Sequence, residues 1–213
     1  MRKVMIGFLA CFAGTAQADE VVIAALGDSL TQGYGLPAEQ GFVPQLQAWL
    51  DANGADVRLI NAGVSGDTTA GGLSRVDWTL TPDVDGMIVA LGGNDVLRGL
   101  PPEQARQNLT GILTAAQAAE VEVLLVGMQA PGNYGEDYKA DFEAIYPDLA
   151  KDFETLYLES FFAGLTEGEE NEDLSAYRAL FQGDGVHPNA EGVAMIVARF
   201  GPELLELVNQ IKG

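Results

Sequence analysis

The sequence predicts a single α/β domain, a parallel sheet of five strands with helices packed on both faces. Three observations carry that expectation. Short apolar runs bounded by turn residues recur five times, at residues 21–26, 57–60, 87–91, 121–126 and 155–158. Such runs read as strands buried on both faces of a parallel sheet. Segments with apolar residues at helical spacing separate them, and that alternation is the pattern of a doubly wound sheet. No internal repeat or linker interrupts residues 19–213, and 213 residues suffice for one sizeable core without a metal or disulfide staple.

The elements follow in order. Residues 1–18 read as a leader: Arg2 and Lys3, an apolar stretch over 4–12, then Ala16-Gln17-Ala18. That is the pattern of a secretory signal peptide cleaved after Ala18, too short to span a bilayer as a helix. Cys11, the only cysteine, falls inside it, so the mature chain is expected to have no thiol and no disulfide. A competing reading makes Cys11 a lipid-attachment site, and it leaves Ala16-Gln17-Ala18 unexplained. The first strand, 21–26, runs into Gly27-Asp28-Ser29-Leu30-Thr31-Gln32-Gly33. A helix carrying Val43, Leu46 and Leu50 follows, with Pro44 in its first turn and Asn53-Gly54 as its stop. The second strand, 57–60, leads into a flexible turn, Asn61 through Asp67, and a helix over 69–80 ends at Thr81-Pro82.

The third strand ends in Gly92-Gly93-Asn94-Asp95. The next helix opens near Pro101-Pro102-Glu103 and places Ala105, Leu109, Ile112, Leu113 and Ala116 on one face. The fourth strand ends in Gly127-Met128-Gln129-Ala130-Pro131, and a helical region holds Phe142, Ile145, Tyr146 and Leu149 before a weak fifth strand. Residues 160–183 form a long acidic loop with one helical turn. Loops of that length within compact domains are often functional. Asp184-Gly185-Val186-His187-Pro188-Asn189 then precedes a last helix with Val193, Val197, Phe200, Leu204, Leu207, Val208 and Ile211 on one stripe, kinked at Gly201-Pro202.

Charge narrows the function classes. The chain has 11 basic and 31 acidic residues; losing Arg2 and Lys3 with the leader leaves 9 against 31, a net −22. Such a surface repels phosphate backbones and anionic headgroups, which argues against nucleic-acid binding and stable membrane association. Residues 136–173 hold 13 acidic and 2 basic residues and read as a solvated face, without a D-x-D-x-D-G loop for calcium. One histidine and no mature cysteine leave too few ligands for a zinc hydrolase.

What remains is a nucleophile with its helpers. Ser29 follows the first strand, and a serine needs a base to take its proton. His187 is the only histidine. Asp184, three residues earlier, can be turned against one ring nitrogen while the other faces outward, which is the orienting part of a serine triad. Acyl transfer also needs donors aimed at the developing oxyanion. The N–H of Ser29, the N–H of Gly66 and the side chain of Asn94 are candidates, each just beyond a strand. Taken singly, each has an ordinary alternative as a turn or cap residue, with Asp28 and Ser29 capping a following helix turn. Ser29, Gly66, Asn94 and the Asp184/His187 pair all read as following strands, which places them on one rim of the sheet, where open α/β sheets bind ligands. The G-x-S-x-G elbow is absent, because Gly63-Val64-Ser65-Gly66-Asp67 puts Asp at the second glycine, and Ser65 is a weak rival nucleophile.

Gly27-Asp28-Ser29-Leu30, Gly66, Gly92-Gly93-Asn94-Asp95 and Asp184-Gly185-Val186-His187 resemble the four blocks of the SGNH, or GDSL, hydrolase family across essentially the whole mature chain. Gly33-Tyr34-Gly35-Leu36, Asn94 through Gly99 and Ala130 through Gly135 further resemble exported bacterial arylesterases, related to periplasmic multifunctional acyl-CoA thioesterase–lysophospholipases. The resemblance implies a flavodoxin-like three-layer α/β/α fold and an acyl-Ser29 mechanism without metal or organic cofactor. It implies Ser29 as nucleophile, His187 as base and acid, and Asp184 as orienting acid. It assigns Ser29, Gly66 and Asn94 to the oxyanion hole, and Val96, Leu97, Pro131 and Tyr134 to mobile substrate loops. The expected product is a periplasmic or secreted esterase for short or medium acyl or aryl esters, thioesters and lysophospholipids. A carbohydrate O-deacetylase on the same residues is the rival enzyme. A flavodoxin-like phosphate or flavin module is the rival outside enzymes, and it leaves His187 and Asn94 idle.

Overall fold

The computed structural model describes residues 20–166 and 174–213. The predicted leader with Cys11 and its cleavage signal, and residues 167–173 of the acidic loop, lie outside the described residues. Five strands, β1 (Val21–Gly27), β2 (Val57–Gly63), β3 (Gly86–Ala90), β4 (Glu122–Val126) and β5 (Leu156–Leu158), form one parallel sheet in the order β2-β1-β3-β4-β5. That is the doubly wound order in which the switch point lies between β1 and β3, where ligands of such sheets sit. Every residue of β1 and β3 is buried, as expected for strands covered on both faces.

Register sets the site. Gly27 pairs with Gly63 on β2 and Ala90 on β3, so three strands end at one level and the residues just beyond them emerge side by side. β2 is longer than its apolar run suggests. Asn61, Ala62 and Gly63, expected as a turn, continue the ladder against Ala25, Leu26 and Gly27. An edge strand tolerates small and polar residues that a central strand would not.

Helices α2 (Phe42–Ala52) and α8 (Ala190–Lys212) pack on one another; α3 (Thr69–Thr79), α5 (Pro102–Ala118) and α7 (Ile145–Asp152) form a second group. The five apolar residues expected on one face of α5 are all buried, as is the stripe of α8 except for the half-buried Ile211. α8 runs unbroken through Gly201-Pro202. Gly201 is there for packing, because a Cβ would come within 2.5 Å of the Trp49 ring. The helical region before β5 is two helices, α6 (Glu136–Glu143) and α7, meeting at Ala144. The turn expected within 160–183 is a 3₁₀ stretch, Leu174–Leu180.

Two short helices each start within three residues of a strand end: α1 (Ser29–Gln32), the helix turn that the cap alternative for Asp28 supposed, and α4 (Gly93–Leu97), which was not anticipated. α1 lies directly across β1 and β2. A Cβ on Gly27 would stand 2.0 Å from Thr31 Oγ1, and one on Gly63 would stand 2.4 Å from the backbone nitrogen of Gln32. These glycines admit the turn that carries Ser29. No helix among the described residues is long and apolar enough to cross a membrane.

Candidate active site

Asp28 caps α1, its Oδ1 accepting the N–H of Leu30 at 3.0 Å, and so presents Ser29 at the first position of the turn. His187 Nε2 lies 2.8 Å from Ser29 Oγ. On the other side of the ring, Nδ1 lies 2.7 Å from Asp184 Oδ2. The second carboxylate oxygen of Asp184 accepts the N–H groups of Val186, at 2.9 Å, and His187, at 3.0 Å. One oxygen therefore builds the turn and the other holds the imidazole, so the turn reading and the orienting reading of Asp184 are both realised. The N–H of His187, its ring and the N–H of Val186 hold the Asp184 carboxyl down to about 2.

The Asp184–His187 loop does not leave a strand, as the shared-rim argument had it; β5 ends at Leu158. It is delivered instead by the start of α8, where Asn189 caps the N–H groups of Glu191 and Gly192. Its base is stapled by a bridge between Phe181 and Pro188, and by Gln182, whose amide donates to the carbonyls of Tyr34 and Pro188. The Tyr34 ring lies 4.8 Å from the imidazole.

The oxyanion candidates surround the same point. Gly66 has φ +84°, a conformation that favours glycine. Among the described residues, the N–H groups of Gly66 and Ser29 have no acceptor. Asn94, in the first turn of α4, donates through Nδ2 to Asp28 Oδ2 at 3.1 Å and to the Asp67 carbonyl at 2.9 Å. Its amide thus ties the turn of Ser29 to the loop of Gly66. Asp28 itself is buried, and burial pushes its carboxyl up to about 6, against the opposing bonds from Leu30 and Asn94 and the field of His187.

Ser29, Gly66, Asn94 and His187 line one cleft of about 510 Å³. Val96, Leu97 and Pro131 line it too. Tyr134 does not: its ring covers Gly99 and lies 5.0 Å from Tyr138. Met128, Phe162, Phe181 and Val186 complete the apolar walls and escaped the sequence reading. Val186, beside His187, carried a positional signal; Phe162 and Phe181 lie in the aperiodic loop and carried none. Ser65 also lines the cleft, but its hydroxyl donates to Gln32 Oε1 at 2.7 Å and the one histidine faces Ser29. Among the described residues no group of three or more His, Cys, Asp or Glu side chains could hold a metal ion.

The chain is similar to known proteins over most of its length. The sequence model of the GDSL-like Lipase/Acylhydrolase family matches residues 25–195. Esterase TesA of Pseudomonas aeruginosa is 35% identical over 210 residues, which cover 98% of this chain and 100% of that protein. Thioesterase 1/protease 1/lysophospholipase L1 of Escherichia coli is 37% identical over 195 residues, covering 91% of this chain and 87% of the relative. The structure of the psychrotrophic esterase EstA from Pseudoalteromonas sp., inhibited by monoethylphosphonate, superimposes with a TM-score of 0.79 at 32% identity, over 90% of this chain and all of that one.

Proposed function

The chain belongs to the GDSL-like lipase/acylhydrolase family, and from that premise we propose that it is an exported serine esterase working through an acyl-Ser29 intermediate. The observation that carries this reading is the continuous path Ser29 Oγ, His187, Asp184, with contacts of 2.8 and 2.7 Å. His187 Nε2 takes the hydroxyl proton as Ser29 Oγ attacks the ester carbonyl. The oxygen of the tetrahedral intermediate lies between the N–H groups of Ser29 and Gly66 and the Asn94 amide. As the intermediate collapses, His187 returns the proton to the departing alcohol or thiol. Water then repeats the sequence on the acyl-enzyme and releases the acid. Asp184 keeps Nδ1 protonated and offsets the charge of the imidazolium.

The cleft supports the substrate class. Its volume of about 510 Å³ and its walls of Leu30, Val96, Leu97, Met128, Phe162 and Phe181 suit short to medium acyl or aryl esters and thioesters first, and lysophospholipids second. The relatives named esterase and thioesterase–lysophospholipase support these substrate classes. The leader predicted over residues 1–18 supports a periplasmic or secreted location.

The test is hydrolysis of nitrophenyl esters of graded chain length by the wild-type chain and by Ser29→Ala. Activity with the wild type that Ser29→Ala lacks is expected. Equal hydrolysis by both overturns the assignment.

A further inference from the structure

We infer that Arg75 is a positioning residue for the oxyanion hole: one guanidinium, bonded to Gly27, Ala62 and Asp67, fixes the spacing of the loops that carry Ser29, Gly66 and Asn94. The inference rests on the esterase reading above and adds to it a residue that touches neither substrate nor reacting atoms.

Arg75 sits on α3, and each of its three nitrogens has a different acceptor. Nε donates to Asp67 Oδ2 at 2.7 Å, Nη1 to the Ala62 carbonyl at 2.7 Å and Nη2 to the Gly27 carbonyl at 2.9 Å. Gly27 is two residues before Ser29, and Asp67 directly follows Gly66. The Asp67 carbonyl in turn accepts from Asn94 Nδ2 at 2.9 Å. Every oxyanion donor is therefore on, or one hydrogen bond from, a segment that this guanidinium holds. Gly71 keeps the place open, since a Cβ there would come within 2.6 Å of Asp67 Oδ1.

The chemistry requires an arginine. Gly27 O and Ala62 O are carbonyls at the ends of neighbouring parallel strands, and Asp67 is a carboxylate beyond them. A planar fork with five donors reaches all three at once, whereas an ammonium is a point charge on a flexible stem. The side chains of Arg75 and Asp67 are only 21% and 20% exposed, so water competes weakly for these bonds. The oxyanion donors act by being in place before charge develops, and a shift of about 1 Å costs on the order of 10²-fold.

The experiment compares wild type, Ser29→Ala, Arg75→Lys and Arg75→Ala on nitrophenyl butyrate, with thermal melting to establish that each variant folds. For both arginine variants kcat is expected to fall about 10- to 100-fold while KM stays within about threefold. Millimolar guanidinium is expected to raise kcat of Arg75→Ala several-fold and leave the wild type unchanged. A residue that merely stabilised the fold would show neither the kcat-only loss nor the rescue. Should Arg75→Ala not fold, Arg75→Lys, which keeps the stem and the charge, carries the test. A folded arginine variant with kcat within threefold of wild type overturns the inference, as does an effect confined to KM, failure of guanidinium rescue in folded Arg75→Ala, or collapse of both variants. A wild type that hydrolyses no ester, or Ser29→Ala as active as wild type, overturns the esterase reading itself.

Discussion

Asp28 and Asn94 meet in a hydrogen bond of 3.1 Å between Oδ2 and Nδ2, behind the serine that Asp28 immediately precedes. A carboxylate that is 2% exposed thus caps the turn carrying Ser29 and holds one of the proposed oxyanion donors. The two tasks share one ionisable group, and that makes its titration visible.

Burial sets the Asp28 carboxyl at about 6, against 3.8 for an ordinary aspartate. The folded chain therefore binds this proton more tightly than the unfolded chain. Asp28 makes stability fall as pH rises from about 4 to about 6, and the slope flattens above that. Asp28→Asn removes the slope. Relative to wild type, its unfolding free energy should improve by roughly 2 kcal/mol between pH 4 and pH 7. Its kcat at pH 7 should nevertheless fall, because an amide at position 28 can turn an NH₂ toward the NH₂ of Asn94. Urea unfolding at the two pH values reads the first effect, and equal slopes for both proteins would contradict it.

Asp184→Asn should lower turnover by about 10⁴, since an amide no longer fixes the productive tautomer of His187. The carboxyl of Asp184 is held down to about 2, so it stays ionised from pH 4 upward, and its contribution is lost only as pH falls from about 4 through 2. The acid limb of the wild-type rate above pH 4 therefore belongs to other groups. Steady-state kinetics on nitrophenyl butyrate decide the point. A loss under tenfold would mean a Ser–His pair with Asp184 as a minor partner.

Leu97 and Tyr134 should separate in their effect on acyl-chain preference. Leu97 lines the cleft and is 62% exposed, so Leu97→Ala should lower kcat/KM for octanoyl relative to acetyl esters by about 1 kcal/mol, roughly fivefold. Tyr134→Ala should leave that ratio unchanged, because the ring packs over Gly99 and Tyr138 outside the cleft. Ratios measured across a chain-length series test both, and a shifted profile in Tyr134→Ala would return that residue to the substrate.

Gly63→Ala should damage stability and catalysis together. The added Cβ would meet the backbone nitrogen of Gln32 at 2.4 Å and the Asp28 carbonyl at 2.9 Å, neither of which can swing away. Displacing α1 should cost about 1–3 kcal/mol by urea unfolding and reduce kcat through the shifted Ser29. Wild-type stability in this variant would mean that α1 is loosely held.

The parallel sheet was legible because central strands buried on both faces leave uninterrupted apolar runs, as at 21–26 and 87–91; the order of the strands is not written in those runs. The end of β2 was not, since Asn61-Ala62-Gly63 has the composition of a turn and its strand pairing comes from the partner β1. Ser29, Gly66, Asn94, Asp184 and His187 could be picked out because each carries distinctive chemistry beside a turn. Asp28 looked like a cap and is one; its hold on Asn94 spans 66 residues and leaves no local trace. Arg75 gave no signal, because two of its acceptors are backbone carbonyls 13 and 48 residues away. Tyr134 came from resemblance alone, and the backbone carries it past the cleft.

The most direct measurement is covalent trapping with an alkyl phosphonate fluoride, followed by peptide mass spectrometry. A serine hydrolase built as described takes up one phosphonyl group per chain, on Ser29, and Ser29→Ala takes up none. A label on Ser65, or uptake that persists in Ser29→Ala, contradicts the assignment of the nucleophile.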